Sequence, residues 1–350
     1  MTMQTAQLWK PTDLSFTSSV CYANPYQDME MAATFTHASG AKLKINGFWN
    51  GGQEWKIRFA PTLTGRWDYQ VCCSDKNNAM HGNTGTIQAA PNAGATDIEK
   101  HGFLQIDAQK RHFVYADQTP FFWLGDTNWQ SFNLNDYYAC NYPGCNCQNQ
   151  FRHILKNRRQ KGFNVYQTYF DASGGKVQPE QNMWLQKYEK INPAVFCGTI
   201  DKMFQDIADS NMVIALGFGL HFITPVEMSE QALCRFARYI TARYAAYPIV
   251  WITGQEIDLE QQEGTYDKWK AVAAACAAAD PYRHPMSAHM FADPRKVDDL
   301  NAQPWHNSWA LPCRMGYRRK ISWRSGCAKM QSPCTEPSSI QKNLACRNRF

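Results

Sequence analysis

Residues Pro248 to Glu256 read PIVWITGQE, and the fold turns on how this stretch is interpreted. Ile249 to Thr253 form an almost unbroken apolar and β-branched run. It follows a helical pattern over Gln231 to Tyr247 and ends in a glycine, an amide and a carboxylate. A run of this kind between helices reads as a strand buried on both faces of a parallel sheet. In (β/α) barrels the reacting groups stand where such strands end, so Glu256 is the first candidate for chemistry. A Glu that merely caps the following helix is the plainer reading.

On either side the chain alternates strand and helix patterns. Working back from Pro248, a strand is expected over Met212–Leu220 and a helix over Thr199–Ser210. Before these come a strand over Phe163–Phe170 and a helix over Gln150–Lys161. Upstream, Thr119–Thr127 (TPFFWLGDT) reads as one fully apolar strand, preceded by a hairpin from Gly102–Ile106 and His112–Tyr115. Downstream come the Ala-rich helix Tyr266–Ala279, a strand over Pro285–Met290 and a sixth strand near Gln303–Leu311. Strands alternating with helices of this length argue for βα units around a parallel sheet.

Residues 8–88 differ in character. Short runs (Leu14–Phe16, Met31–Thr36, Leu43–Ile45, Trp55–Phe59, Trp67–Cys72) are separated by turn signals such as Asn46-Gly47 and Thr64-Gly65. Close spacing with turn punctuation indicates an antiparallel β-sandwich. Residues 89–100 (AAPNAGATDIEK) are small and polar and read as a linker. The expected architecture is a sandwich over 8–88, then a (β/α)8 barrel over 101–311, then an unpatterned tail over 312–350. An eight-stranded barrel typically takes about 250 residues. The barrel is therefore expected to be incomplete, through a truncated or out-of-frame gene.

Charge narrows the partners. The chain of 350 residues carries +6. Residues 311–350 hold nine Lys and Arg against the single acid Glu336, a tail of +8, which leaves 6 − 8 = −2 for the rest. A phosphate-binding footprint on the body is not supported, and no nucleic-acid partner is expected. No run approaches the roughly 18 apolar residues of a membrane span, and no membrane partner is expected either. The opening MTMQTAQLWKP has no secretory pattern, so a soluble, cytoplasmic, reduced protein is the expectation. Twelve Trp and 13% aromatic content suit a large core or a cleft that stacks on sugar rings.

If the strands converge on one rim, their ends offer a set of polar and aromatic groups. These are Asp126 with Trp129, Tyr169 with Asp171, His221, Gln255 with Glu256, and His289; Trp305 would add a stacking face. Glycoside hydrolysis needs two carboxyl groups about the scissile bond, one of them protonated, and Glu256 fits the proton donor. The structural alternatives are ordinary ones: Asp126 bonding to neighbouring loops, Asp171 opening a turn, the histidines satisfied in the core. Cys140, Cys145, Cys147 and His153 form C-x4-C-x-C-x5-H, a loose match to zinc-ligand spacing. The expectation is reduced loop cysteines, with no metal and no cofactor. No P-loop, dinucleotide fingerprint, H-E-x-x-H or G-x-S-x-G motif is present.

Two stretches also carry a resemblance. Asn24–Asp75, with GFWNGG, WKIRFAPTLTG and WDY, resembles the DUF5060 β-sandwich module. HGFLQID at His101, continuing through RHFVYADQTPFFWLGDTNW to Trp129, resembles the opening of the DUF4038, apiosidase-like glycoside hydrolase domain, a (β/α)8 barrel. WITGQE is similar to that family's strand-four ending. The resemblance spans about residues 8–311 and implies retaining or inverting hydrolysis of a glycosidic bond in plant-cell-wall side chains, with an oligosaccharide or polysaccharide as partner. It implies an acid/base role for Glu256, where the family often has Asp, and a sugar contact for Asp126. The family's second carboxylate, from strand seven, has no counterpart that can be placed, and Glu336 follows no apolar strand. A copy lacking it would be inactive, which leaves a non-catalytic carbohydrate-binding or scaffold protein as the alternative.

Overall fold

In the computed structural model, the first ninety residues alternate in and out of a core. The structure describes residues 4–129, 131–132, 137–140, 144–170, 182–219, 224–259, 262–291, 293–303 and 311–312. In Gly65–Cys73, Trp67, Val71 and Cys73 are buried while Asp68, Gln70 and Cys72 face water, the period of two that a half-buried strand requires. Eight strands make two sheets: β1 (Gln4–Gln7), β2 (Thr12–Thr17), β3 (Met31–His37), β4 (Lys42–Asn46), β5 (Phe48–Gly51), β6 (Glu54–Phe59), β7 (Gly65–Cys73) and β8 (Thr84–Ala90). One sheet has the order β1-β8-β7-β3-β4 and the other β2-β6-β5. All pairings are antiparallel except β1 with β8. Phe35 of β3 stacks on Phe59 of β6 at 4.2 Å, ring centre to ring centre, so the two sheets share one core.

All five expected strands are present, joined by β1, β5 and β8, which the sequence reading omitted. The expected linker also contains structure: β8 reaches Ala90, and Asp97–His101 is a helical turn. Thr96 and Glu99 form a capping box there, a reciprocal arrangement that satisfies two orphan N–H groups.

Next comes a small antiparallel sheet of β9 (Gln105–Ile106), β10 (Phe113–Val114) and β11 (Pro120–Phe121). The run TPFFWLGDT is not one buried strand, and that expectation is corrected. Phe121 ends β11, Phe122 is 78% exposed, and a separate strand β12 (Gly125–Thr127) follows. The short strands β14 (Trp184–Gln186) and β15 (Lys190–Ile191) pair later in the chain.

The parallel sheet runs β12, β13 (Val165–Tyr169), β16 (Val213–Gly217), β17 (Ile249–Ile252) and β18 (Met286–Ser287), with neighbours in sequence order. β19 (His289–Met290) pairs in parallel with β20 (Leu311–Pro312). Helices Gln150–Gln160, Asp201–Asp209, Glu230–Tyr244 and Thr265–Ala279 alternate with these strands. The chain is therefore a mixed α/β protein with an N-terminal antiparallel region. Closure of a full eight-stranded barrel and the expected truncation both concern residues outside the described ones.

Register explains why the strands read as unbroken apolar runs. Asp126, Tyr166, Ile214 and Ile249 lie side by side, and Tyr166, Ile214 and Ile249 join the core under the helices. Val165, Val213, Ala215, Val250 and Ile252 face the other way, packing with Phe103, Leu104, Tyr115 and Phe121. Both faces are thus covered, as parallel sheets demand. On helix Asp201–Asp209, Met203, Phe204 and Ile207 are buried at helical spacing, and Phe204 stacks on Tyr244 at 3.7 Å. Among the described residues no helix is long and apolar enough to cross a membrane.

The sandwich is joined to the helices by buried charge. Arg58 of β6, 5% exposed, donates to Asp13 and Asp201, and also to the main-chain oxygen of Arg243. Arg243, fully buried, clamps Asp201 through Nε at 2.8 Å and Nη2 at 2.7 Å and donates to Asn50 Oδ1. Burial pushes Asp201 up, but Arg243 and Arg58 win and hold its carboxyl at about 2.

Candidate active site at the end of the fourth parallel strand

Beyond Ile252 the chain leaves the sheet in an irregular arc. Gly254 is required there: a Cβ would lie 2.9 Å from both Trp269 and Ile257. The main chain then turns through Glu256 with φ 51°. This left-handed region is unusual for a side chain with a Cβ and costs about 1–3 kcal/mol, which the surrounding structure must hold in place.

His289 holds it. The main-chain N–H of Glu256 donates to His289 Nδ1 at 3.2 Å, Ile257 N donates to His289 O, and His289 N donates to Gly254 O. Accepting at Nδ1 places the proton of a neutral ring on Nε2. From the neighbouring strand, Gln255 N donates to Gly219 O at 3.1 Å. The Oε1 of Gln255 is buried without a hydrogen-bond partner among the described residues, at a cost of about 1–3 kcal/mol.

Aromatic rings complete the group. Trp129, just after β12, meets His289 edge to face at 5.2 Å and Tyr169 at 5.7 Å. Tyr169 ends β13 on the sheet face opposite the helices, where Gly217 leaves room for it; a Cβ on Gly217 would sit 3.0 Å from that of Tyr169. Tyr169 is 3% exposed, so Trp129, half-buried, offers the more open stacking face.

The structure thus gathers Trp129, Tyr169, Gln255, Glu256 and His289. Asp126 goes elsewhere, and its expected place on the rim is corrected. It shares the helix-facing register of Tyr166, and its Oδ2 accepts from Arg158 Nε at 2.5 Å. Asp258, another strand-end carboxylate, accepts from the main-chain N–H groups of Phe291 and Asp293. Asp171, His221 and Trp305 lie outside the described residues. A cavity of about 310 Å³ lined by Tyr26, Trp49, Arg235 and Arg238 shares no residue with this group.

The loop after Trp129 brings one more correction. Cys140 is joined to Cys147 in a disulfide, where reduced cysteines were expected. Cys145 Sγ lies 3.9 Å from both ring nitrogens of His153.

Comparisons with known families follow the same two-part division of the chain. Residues 107–314 match the family model described as Apiosidase-like, catalytic domain, and residues 5–74 match that of a domain of unknown function, DUF5060. A crystal structure from Bacteroides vulgatus, provisionally described as a glycoside hydrolase, is similar at 22% identity and a TM-score of 0.67. That match covers 92% of this chain and 67% of the other. A glycoside hydrolase family 5 structure from the same organism shares 18% identity over 59% of this chain and 43% of the other, with a TM-score of 0.45. The curated proteins give no significant match.

Proposed function

Because the chain belongs to the family of apiosidase-like catalytic domains, we propose that it hydrolyses a glycosidic bond in a plant-cell-wall polysaccharide side chain, with Glu256 as proton donor. One observation carries this reading: a carboxylate at the end of a parallel strand, held at φ 51° by a histidine from the next strand pair. Strained side chains of this kind concentrate at reacting sites, and the carboxyl ends of the strands are where this architecture does its chemistry.

In such a reaction Glu256, protonated, gives its proton to the departing glycosidic oxygen while a second carboxylate acts from the other side of the sugar ring. Trp129 stacks on an apolar face of the sugar. The buried Oε1 of Gln255, unpaired among the described residues, accepts from a substrate hydroxyl. His289 acts through Glu256, fixing the main chain that carries it.

The test is incubation of the purified chain with pectic and hemicellulosic side-chain oligosaccharides, reading released reducing ends. Cleavage of at least one pectic oligosaccharide is expected. Calorimetric binding without cleavage of any would replace this reading with the non-catalytic carbohydrate binder.

A further inference from the structure

On helix Glu230–Tyr244, Arg235, Arg238, Tyr239 and Ala242 recur at the spacing of a single helical face. That face turns to the sandwich, where Tyr239 Oη donates to the main-chain oxygen of Trp49. Between the two lies a cavity of about 310 Å³. On the sandwich side, Lys44 and Asn46 stand two apart on β4 and so share a strand face. Tyr26, from the helical turn Pro25–Asp28, adds an aromatic wall, with Arg235 Cζ 6.0 Å from its ring centre. Charge in this lining is out of balance. Arg235, Arg238 and Lys44 share it with one acid, Glu30, and none of the four forms an ion pair among the described residues. Like charges three apart on a helix repel, so the two arginines stand together at a cost. Tyr26 is also left short. It is 8% exposed, and its buried Oη has no hydrogen-bond partner among the described residues, although a buried phenol usually finds one.

We propose that this cavity binds a carboxylated sugar, a uronate within an acidic oligosaccharide, at a site separate from Glu256. Arginine forks match a carboxylate and hold it by paired N–H···O bonds, and an anion here relieves the repulsion between Arg235 and Arg238. The rings of Tyr26 and Trp49 suit the apolar face of a pyranose. Asn46, Ser74 and Glu30 bring the donors and acceptors that ring hydroxyls need. Glu30 also separates this ligand from inorganic phosphate, because its carboxylate repels a bare anion but accepts from a hydroxyl. The volume is at the small end of the range for ligand sites, so it takes a short segment of the sugar chain. Its lining shares no residue with the group around Glu256. The site is an anchor for acidic oligosaccharide, and its occupancy does not depend on whether Glu256 cleaves.

The experiment titrates the full chain with trigalacturonate by isothermal calorimetry, with galactotriose as the neutral probe and inorganic phosphate as the bare anion. Saturable binding of trigalacturonate is expected, weakening as salt is raised, with both other probes at least about tenfold weaker. The double variant Arg235→Ala/Arg238→Ala, at two positions that are not buried, should raise the Kd about tenfold or more. Its far-ultraviolet circular dichroism should match the wild type. Lys44→Ala, on the opposite wall, should also weaken binding, so the result does not rest on the folding of one variant. Trp129→Ala, beside Glu256, should bind trigalacturonate as the wild type does. No binding of trigalacturonate by the wild type overturns the proposal, as does equally tight binding of galactotriose or of phosphate. So does binding that survives undiminished in the arginine and lysine variants, or that Trp129→Ala abolishes.

Discussion

Glu256 and His289 are bound main chain to side chain: the N–H of Glu256 donates to Nδ1 of His289 at 3.2 Å. This bond, with the two main-chain bonds from His289 to Gly254 and Ile257, holds a backbone turn that a glutamate would not adopt unaided. The histidine therefore matters to the proposed chemistry without touching the reacting bond. His289→Ala should lower kcat about 100-fold, the scale of a misplacement near 1 Å, with a much smaller change in KM. His289→Asn, which keeps an acceptor, should recover part of the loss. A KM effect with kcat intact would make His289 a binding residue instead.

Strain at Glu256 predicts opposite responses in stability and activity. Glu256→Gly removes the cost of φ 51° and should raise stability by about 1 kcal/mol while abolishing turnover. Glu256→Ala retains a Cβ in the left-handed region and should bring no such gain. Denaturant titration of the two variants separates them. Equal stabilities would mean that the turn is not strained.

Gln255 offers a second such contrast. Its buried Oε1 has no partner among the described residues, so Gln255→Met should leave stability unchanged or raise it by about 1 kcal/mol. If a sugar hydroxyl is the missing partner, the same variant should raise KM about tenfold, the equivalent of 1.4 kcal/mol. Loss of stability with KM unchanged would point to a purely structural amide.

The buried charges between sandwich and helices set the response to acid. Asp201 titrates at about 2 when folded against about 3.9 unfolded. Because the folded value is the lower one, the stabilisation is present above about pH 4 and is lost as pH falls towards 2. Asp201→Asn leaves Arg243, at 0% exposure, without its anion and should cost about 3–5 kcal/mol. Urea denaturation at pH 2–6 should show a steeper acid loss in the wild type than in the variant. Parallel curves would remove Asp201 from the acid response.

Particular residues show how far the sequence could be read. Trp67, Asp68, Gln70 and Val71 advertise a half-buried strand, because one side chain in two must be apolar. Thr84–Ala90 (TGTIQAA) forms an equally good strand but carries one large apolar side chain, so its pairing depends on β7 rather than on its own pattern. TPFFWLGDT hid a break because an apolar run does not reveal which of its residues lose their cover; Phe122 does. The place of Glu256, just past a buried parallel strand, was legible from the apolar run before it. The His289 contact was not, since it joins positions 33 residues apart. Asp126 was misplaced by strand parity: one residue either way separates the helix face, where Arg158 waits, from the face that carries Tyr169. The disulfide lay within a cysteine spacing that fits several chemistries equally.

The proton-donor role of Glu256 is tested most directly with two aryl glycosides of one sugar that the wild type cleaves, one with a poor leaving group and one with a strongly activated one. In Glu256→Gln, kcat/KM on the poor leaving group should fall by about 10²–10⁴, while the activated glycoside, which needs no proton, retains most of its rate. Equal losses on both substrates, or no loss on either, would contradict the account.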